Sequence, residues 1–300
     1  MDLGVVIAGL LTGGLYAIIG LGLSLVFGVM RLVNLAHGEL IVVGAYAASL
    51  VISWLGIDPF LSLVLVVPVL AALAYPVQRY LLTGLLRRGL EPPLVATFGL
   101  SLIISAGLTA LAGGDPRKLP STYSTAGMNL LGQQVRVIDV VGLAIGVALT
   151  VLIYLVMRHT RWGAALRAAS TDPSTAGTMG INVNAVYAIT FAASAGIAAI
   201  GGVFIGTAYS FTPTSGMGYI LIGFTVVVLG GTGSAWGTLI GGLVLGLVQS
   251  VGGALLGGQY RDFVIYAFFI IVLAAKPIAE HLLDRARSRP GAIRQTGVRA

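Results

Sequence analysis

The sequence predicts an all-α integral membrane protein, with about eight transmembrane helices plus one broken or re-entrant half-helix. Three observations carry this. Hydrophobic residues make up 57% of the 300-residue chain and charged residues only 9%, against roughly 25% charged in a soluble domain that must cover itself in water. The charges are spaced so that long uncharged intervals separate them, several reaching the ~20 residues needed to cross the hydrocarbon core. Glycine, at 43 residues, is about twice its usual share, which suits helices that pack backbone against backbone in lipid.

The elements follow from the intervals between charges. Asp2 to Arg31 encloses 28 uncharged residues, Glu39 to Asp58 18, Asp58 to Arg79 20 and Glu91 to Asp115 23. Asp139 to Arg158 encloses 18, Asp172 to Arg261 88 and Asp262 to Lys276 13. The spans predicted from these are 4–27, 39–55, 60–82, 93–112, 138–157, 186–208, 238–256 and 261–276. The apolar piece 218–229 is too short to cross alone and reads as the half-helix. Irregular backbone at that depth is tolerated only where protein buries it or a cavity borders it.

Basic residues set the orientation. Arg31, Arg79, Arg87, Arg88, Arg158, Arg161, Arg167, Lys276 and the tail arginines 285, 287, 289, 294 and 299 fall on one side. Arg117, Lys118, Arg136 and Arg261 fall on the other. The richer side is expected to be cytoplasmic, which places the N-terminus outside and the C-terminus inside, provided 218–229 counts as a crossing. No basic stretch precedes the first apolar run, so a cleaved signal peptide is not expected. The chain then reads as one transmembrane domain, 1–276, with a cytoplasmic segment at 158–184 and a basic cytoplasmic tail at 277–300.

Composition excludes several functions. The chain has no cysteine, so thiolate metal sites, disulfides and cysteine catalysis are absent; three histidines and ten acids leave little for acid–base chemistry. No metal site is expected. The net charge of +7 belongs to the flanks of the helices and to a tail that meets anionic lipid heads. With no aromatic residue interleaved, nucleic acid is not an expected partner. No G-x-x-x-x-G-K-[ST] occurs, so the chain carries no P-loop of its own. Glycine pairs four apart recur at Gly9/Gly13, Gly142/Gly146, Gly202/Gly206, Gly242/Gly246 and Gly253/Gly257. Together they predict a bundle with small helix–helix separations.

Three polar features interrupt the apolar background. In RLVNLAHGEL (31–40), Asn34, His37 and Glu39 lie between two strongly apolar helices. Either this is a cytoplasmic turn, or it is a broken segment buried in the bundle, where polar groups must pair with one another or with freed backbone and mark pathways or gates. In YSFTPTSGMGY (209–219), Thr212 and Thr214 supply hydroxyls and Pro213 stops a helix; the loop is either a plain connection or the lining of a translocation mouth. The third feature spans 158–184. Asp172-Pro173 is a helix start, with an acceptor at the N-cap and proline at N1. The pattern predicts short helices over 162–170 and 173–179, the second ending at Gly180. Their alanine-rich face is expected to seek a groove on a partner, the other reading being a loop packed on itself.

These motifs resemble the membrane subunits of branched-chain amino acid ABC importers, the LivH/LivM permeases, and the LivH type more closely. The resemblance rests on GGLYAIIGLGLSLVFGVMRLVNLAHGELIVVGAY (13–46), RWGAALRAASTDPSTAGTMGINVN (161–184) and GFTVVVLGGTGSAWGTLIGGLVLG (223–246). It implies a multi-pass permease of the bacterial inner membrane that binds no cofactor, with ATP used by separate subunits. The partners implied are a second, LivM-like membrane subunit, two cytoplasmic ATPases and an extracytoplasmic substrate-binding protein. Arg161, Gly163, Arg167, Asp172 and Gly180 match the coupling motif, the arginines being expected to pair with acidic groups of the ATPase. Gly177-Thr178 departs from the bulkier, often charged residues of the family's second coupling helix. Asn34, His37 and Glu39 match the N-terminal signature. Breaks at 28–38 and 230–237, the latter with Gly230, Gly231 and Gly233, are the expected hinges.

The same resemblance admits urea and short amides as cargo. An ion-coupled secondary transporter of small polar solutes is the alternative, with Glu39 as the ionisable group. A passive channel would not need the coupling segment. A likeness between 14–46 and 196–230, each a long helix, a break and a shorter helix, hints at an internal repeat.

Overall fold

The computed structural model describes residues 3–89, 91–121, 124–130 and 132–287, with 276–287 as backbone only. All eight predicted spans are helices. They are α1 (Leu3–Met30), α2 (His37–Leu55), α3 (Pro59–Pro76, continuing to Leu86), α5 (Glu91–Ala112), α6 (Val137–His159), α9 (Val183–Ala208), α11 (Ala235–Leu256) and α12 (Arg261–Arg287). Most ends lie within three residues of the predicted spans; α12 runs eleven residues past 276. The half-helix is α10 (Gly216–Gly230), and short helices α7 (Arg161–Thr171) and α8 (Pro173–Thr178) occupy the polar island.

Local chemistry fixes the helix ends. Asp58 caps α3 by accepting from the Phe60 amide at 2.8 Å, with Pro59 at N1. The side chain of Asn182 caps α9 and that of Ser234 caps α11, each accepting at 3.0 Å from the amide three residues on. Gly56 ends α2 in the left-handed region at φ +64. The third span is not one plain helix. After Pro76 it widens into a π turn, Val77–Leu82, before the single turn α4 (Thr83–Leu86). Two features of the structure have no counterpart in the sequence reading: this π turn, and an antiparallel hairpin of β1 (Gly127–Leu130) and β2 (Gln133–Arg136).

Two helices form the centre. The apolar windows of α9 and α1 are 83% and 61% buried, whereas those of α5 and of the last helix are only 6% buried. The glycine pairs explain how α1 meets α11. A Cβ on Gly13 would stand 2.6 Å from the Leu243 Cα, and one on Gly242 2.6 Å from the Ala17 amide nitrogen. Gly9 and Gly246 cross in the same way. Two of the predicted pairs thus interlock with each other in an antiparallel crossing. Gly146 lies on the Gly14 carbonyl, and Gly202 on the Ile41 carbonyl. Gly142 and Gly257 carry no such crossing.

The internal repeat is real in shape. α1 is followed by the break 31–36 and α2; α9 is followed by the break 209–215 and α10. α1 and α9 run antiparallel, since Ser194 donates to the Gly22 carbonyl while Gly201 faces Ile18. The breaks therefore lie at opposite ends of the bundle, in the inverted arrangement common in transporters. The two second helices meet at their N-termini: Gly38 packs directly on Gly216 and on the Ile220 amide. From that crossing α10 reaches the far end, where Gly233 lies on Gly28. With the break 209–215 it carries the chain across, which supplies the crossing that the parity of the topology requires.

Candidate functional site: two breaks, a projecting helix pair and a glycine crossing

The first break is buried. Arg31 turns the chain in the left-handed region at φ +52, and residues 31–36 run back into the bundle. Asn34 and His37 are fully buried and Glu39 is 4% exposed. Of the two readings of RLVNLAHGEL, the structure takes the buried one. Asn34 holds the turn by accepting from the Ala36 amide at 3.1 Å. Thr97 of α5 lies between the Val33 carbonyl and the Leu35 amide, at 3.4 and 3.3 Å. The His37 Nε2 donates to the Ile19 carbonyl at 3.2 Å, which sets α2's first residue deep inside the bundle rather than at its end. The side chains of Asn34, His37 and Glu39 thus bond to backbone and neighbouring helices, not to one another.

Glu39 faces the other repeat. Its carboxylate overlies Gly216, the first residue of α10, where no Cβ would fit. Ser101 of α5 is its side-chain hydrogen-bond partner, and its Oε2 has none. The first amides of a helix lack intrahelical acceptors and carry partial positive charge, so a carboxylate is favoured there. One acid from the first repeat therefore lies over the first residue of the second repeat's half-helix.

The second break spends its hydroxyls locally. Thr212 Oγ1 lies 3.2 Å from Thr214 Oγ1 and 3.0 Å from Ser215 Oγ, a turn that delivers the chain into α10. Phe211 pairs with Arg117 in an isolated bridge, and Ser105 donates to the Pro213 carbonyl at 3.1 Å. Thr212 and Thr214 do not join Asn34, His37 and Glu39. At the same end, Arg136 makes the one ion pair among the described residues, 2.8 Å to Asp139, and stacks on Tyr209 at 5.1 Å.

The coupling motif divides into a rooted and a projecting part. α7 begins at Arg161, capped by Thr160, whose Oγ1 accepts from the Gly163 amide at 3.0 Å. Gly163 is buried against the Val156 and Met157 carbonyls at the end of α6, so its close approach is within this chain. Leu166 and Ala169 are buried with Val29, Met30, Leu82 and Val186. The alanine-rich face expected to seek a partner is covered by the bundle itself. Burying that stripe beats exposing it at a surface already flanked by apolar helices. Arg161 and Arg167 remain exposed, with no ion pair among the described residues.

α8 projects instead. Asp172 caps it, accepting from the Ser174 amide at 2.9 Å and the Thr175 amide at 3.2 Å. Hydrogen bonds from the hydroxyls of Thr175 and Ser174 hold its carboxyl well below the usual carboxylate range. Gly180, at φ +85, ends the pair: its amide bonds the Gly177 carbonyl and that of Ile181 the Ala176 carbonyl. Of α8 only Ala176 is buried, and Met179 beyond it is 79% exposed. The light residues Gly177 and Thr178 lie on this outward surface.

The segment 158–184 and the expected hinge meet. Gly233, at φ +78, packs backbone to backbone on Gly28, and its amide donates to Ser24 at 3.2 Å. Gly231 is also left-handed, at φ +83, and Gly230 lies on the Gly237 carbonyl. A cavity of about 430 Å³ adjoins this crossing, and both Arg167 and Ser170 of α7 border it. Arg167 thus stands beside the break 230–237, a juxtaposition no spacing in the sequence reveals.

A family model for the permease component of branched-chain amino acid transport systems matches residues 5–273. The chain belongs to the branched-chain amino acid transport permease family. It is 31% identical to the Escherichia coli high-affinity branched-chain amino acid transport system permease protein LivH, over 90% of this chain and 92% of the relative. The Pseudomonas aeruginosa permease protein BraD is 29% identical over the same shares. The Escherichia coli ribose import permease RbsC is 30% identical over 85% of this chain and 80% of its own length. No solved structure matches. The protein is a multi-pass membrane permease, a transport subunit rather than an enzyme.

Sequence reasoning missed the residues that hold the buried break in place. Thr97, Ser101 and Ser194 are hydroxyls inside long apolar helices, where such residues ordinarily bond their own backbone. Gln78 was missed too. It is fully buried at the π turn, and both polar atoms of its side chain are unpartnered. An amide within an otherwise apolar span was the one available signal.

Proposed function

We propose that this chain is the LivH-like permease subunit of an ABC importer that brings branched-chain amino acids across the bacterial inner membrane. The N-terminus lies outside and the C-terminus inside. A second, LivM-like subunit completes the membrane pair, two ATPases supply the energy, and an extracytoplasmic binding protein delivers the cargo. The chain itself binds no cofactor, and ATP acts on its partners. The observation that carries this reading is the division of 158–184. α7 is rooted in the bundle beside the Gly28–Gly233 crossing, while α8 projects with Met179 exposed.

Motion imposed on α8 would pass through α7 to that crossing. The permease needs an outward-open and an inward-open arrangement, and only a differential interaction with the ATPases shifts their balance. Asn34, His37 and Glu39 lie where the two repeats meet and serve as gate elements. The test is substrate-stimulated ATP hydrolysis by the chain co-purified with its partners. Arg167→Glu abolishes stimulation on this reading while the protein stays folded in the membrane. Unchanged stimulation would overturn the assignment of 158–184.

The likeness to the ribose import permease supports a second reading, in which the cargo is another small polar solute. Competition by leucine, ribose and urea for uptake separates the two.

A further inference from the structure

A second cavity lies at the hairpin end of the bundle, away from the coupling segment. Its volume is about 330 Å³, and α1, α9, α10, α11 and the start of α12 enclose it. That is within the roughly 300–1,000 Å³ of ordinary small-molecule sites. Its walls are divided chemically. Leu15, Ile19, Ile205 and Ile222 form an aliphatic side. Tyr16, from the centre of α1, donates to Gln249 Oε1 at 2.7 Å, which fixes the Gln249 amide at the cavity wall. Tyr209, at the start of the break 209–215, and Tyr219, in the first turn of α10, flank the cavity.

The rim carries one charge of each sign. Arg261 and Asp262 both border the cavity, and neither makes an ion pair among the described residues. Neighbouring helix positions do not face each other, and the two charges form no ion pair with each other. The stem of Arg261 is seated on Gly253, where a Cβ would stand 2.9 Å from the Arg261 Cγ. A guanidinium pairs with a carboxylate through a planar fork, and a carboxylate accepts from an ammonium. Placed together above an aliphatic wall, these groups complement a zwitterion with a branched hydrocarbon side chain.

We propose that this cavity is a binding subsite for an aliphatic α-amino acid, its carboxylate on Arg261, its ammonium toward Asp262 and Gln249, and its side chain among Leu15, Ile19, Ile205 and Ile222. The proposal rests on the importer reading and names the residues that would meet the cargo on the outer side. Sequence reasoning placed Arg261 only among the orienting charges, because helix order alone does not bring α12 to the α1 cavity.

The experiment uses the full importer, with its partner subunits, in proteoliposomes. Uptake of radiolabelled leucine is measured per assembled complex for the wild type, Arg261→Gln, Asp262→Asn and Ile222→Trp. Two analogues serve as competitors: leucinamide, which lacks the carboxylate, and 4-methylpentanoate, which lacks the ammonium. The first two variants substitute exposed positions and are expected to fold; Ile222→Trp fills the cavity. Losing one charge-assisted contact should raise the leucine KM about tenfold or more. Arg261→Gln should narrow the preference for leucine over leucinamide, and Asp262→Asn that over 4-methylpentanoate. A wild-type KM for leucine in both charge variants would overturn the subsite while leaving the importer intact. Wild-type complex that takes up no leucine with ATP would overturn the importer reading and the subsite with it.

Discussion

The two breaks of the inverted repeat share a topology and differ in what surrounds them. At 31–36 the chain returns deep into the bundle, and Asn34, His37 and Glu39 are all but removed from solvent. His37 is held by α1 and α9 and Glu39 by Ser101 of α5, while Asn34 accepts from the nearby Ala36 amide. At 209–215 the hydroxyls of Thr212, Thr214 and Ser215 bond one another, and Thr214 is exposed. The polar side chains of the first break reach mostly distant partners, whereas the hydroxyls of the second bond one another, its backbone being held by Arg117 and Ser105. Polar groups in an apolar interior are costly unless satisfied, so the buried break is where substitutions should be felt.

The largest expected effect is at the crossing that joins the breaks. Gly38→Leu or Gly216→Val places a side chain into backbone or into the Glu39 carboxylate. For Gly38→Leu the neighbour is backbone that cannot yield, so overpacking should cost about 3 kcal/mol or more and size-exclusion profiles should show no folded monodisperse protein; Gly216→Val, which meets the end of the Glu39 side chain, should cost less. Gly177→Ala, which meets nothing within 4 Å, should leave the profile unchanged.

Next comes Glu39. Glu39→Leu leaves the Ser101 hydroxyl without its acceptor and removes the carboxylate from the start of α10, and should lower stability by about 2 kcal/mol. Glu39→Gln keeps an acceptor and should cost less than half as much, read as the shift in thermal midpoint in detergent. Equal losses would mean that charge, not hydrogen bonding, is what α10 requires.

A smaller effect separates the breaks directly. Thr97→Val removes the hydroxyl between Val33 and Leu35 and should cost about 1 kcal/mol. Thr214→Val should stay within about 0.5 kcal/mol. If the two are alike, the buried break is not held by α5.

The smallest effect concerns α8 and pH. The folded Asp172 carboxyl is held below its ordinary value, chiefly by the Thr175 hydroxyl and then by that of Ser174. Its contribution is therefore present above the unfolded value, and is lost only as pH falls through the lowered folded one. Protection of the α8 amides from hydrogen exchange should hold from pH 7 to about pH 4, the ordinary carboxylate value. Asp172→Ala should abolish it throughout.

Much of this was legible in the sequence, because lipid imposes simple rules. Charge spacing located every span, Asp172-Pro173 and Gly180 marked the ends of α8, and Gly9/Gly13 and Gly242/Gly246 announced a close crossing. What was not legible depends on which helices become neighbours. The amphipathic stripe of α7 reads the same whether its cover is a partner or the chain's own Leu82 and Val186. Gly163 signals close approach without saying to what. The π turn after Pro76 leaves the span apolar throughout, and the hairpin 127–136 is too short and polar to show a strand period.

If α8 drives the permease, 158–184 and the Gly28–Gly233 crossing move together. The native chain has no cysteine, so a pair introduced as Ser170→Cys and Thr232→Cys, both on the inner cavity, can be joined by a short bismaleimide in the assembled importer. The extent of crosslinking should then differ between nucleotide-free and nucleotide-trapped complexes, and the crosslinked importer should stop ATP-driven leucine uptake. Equal crosslinking in both states, with uptake intact, would contradict it.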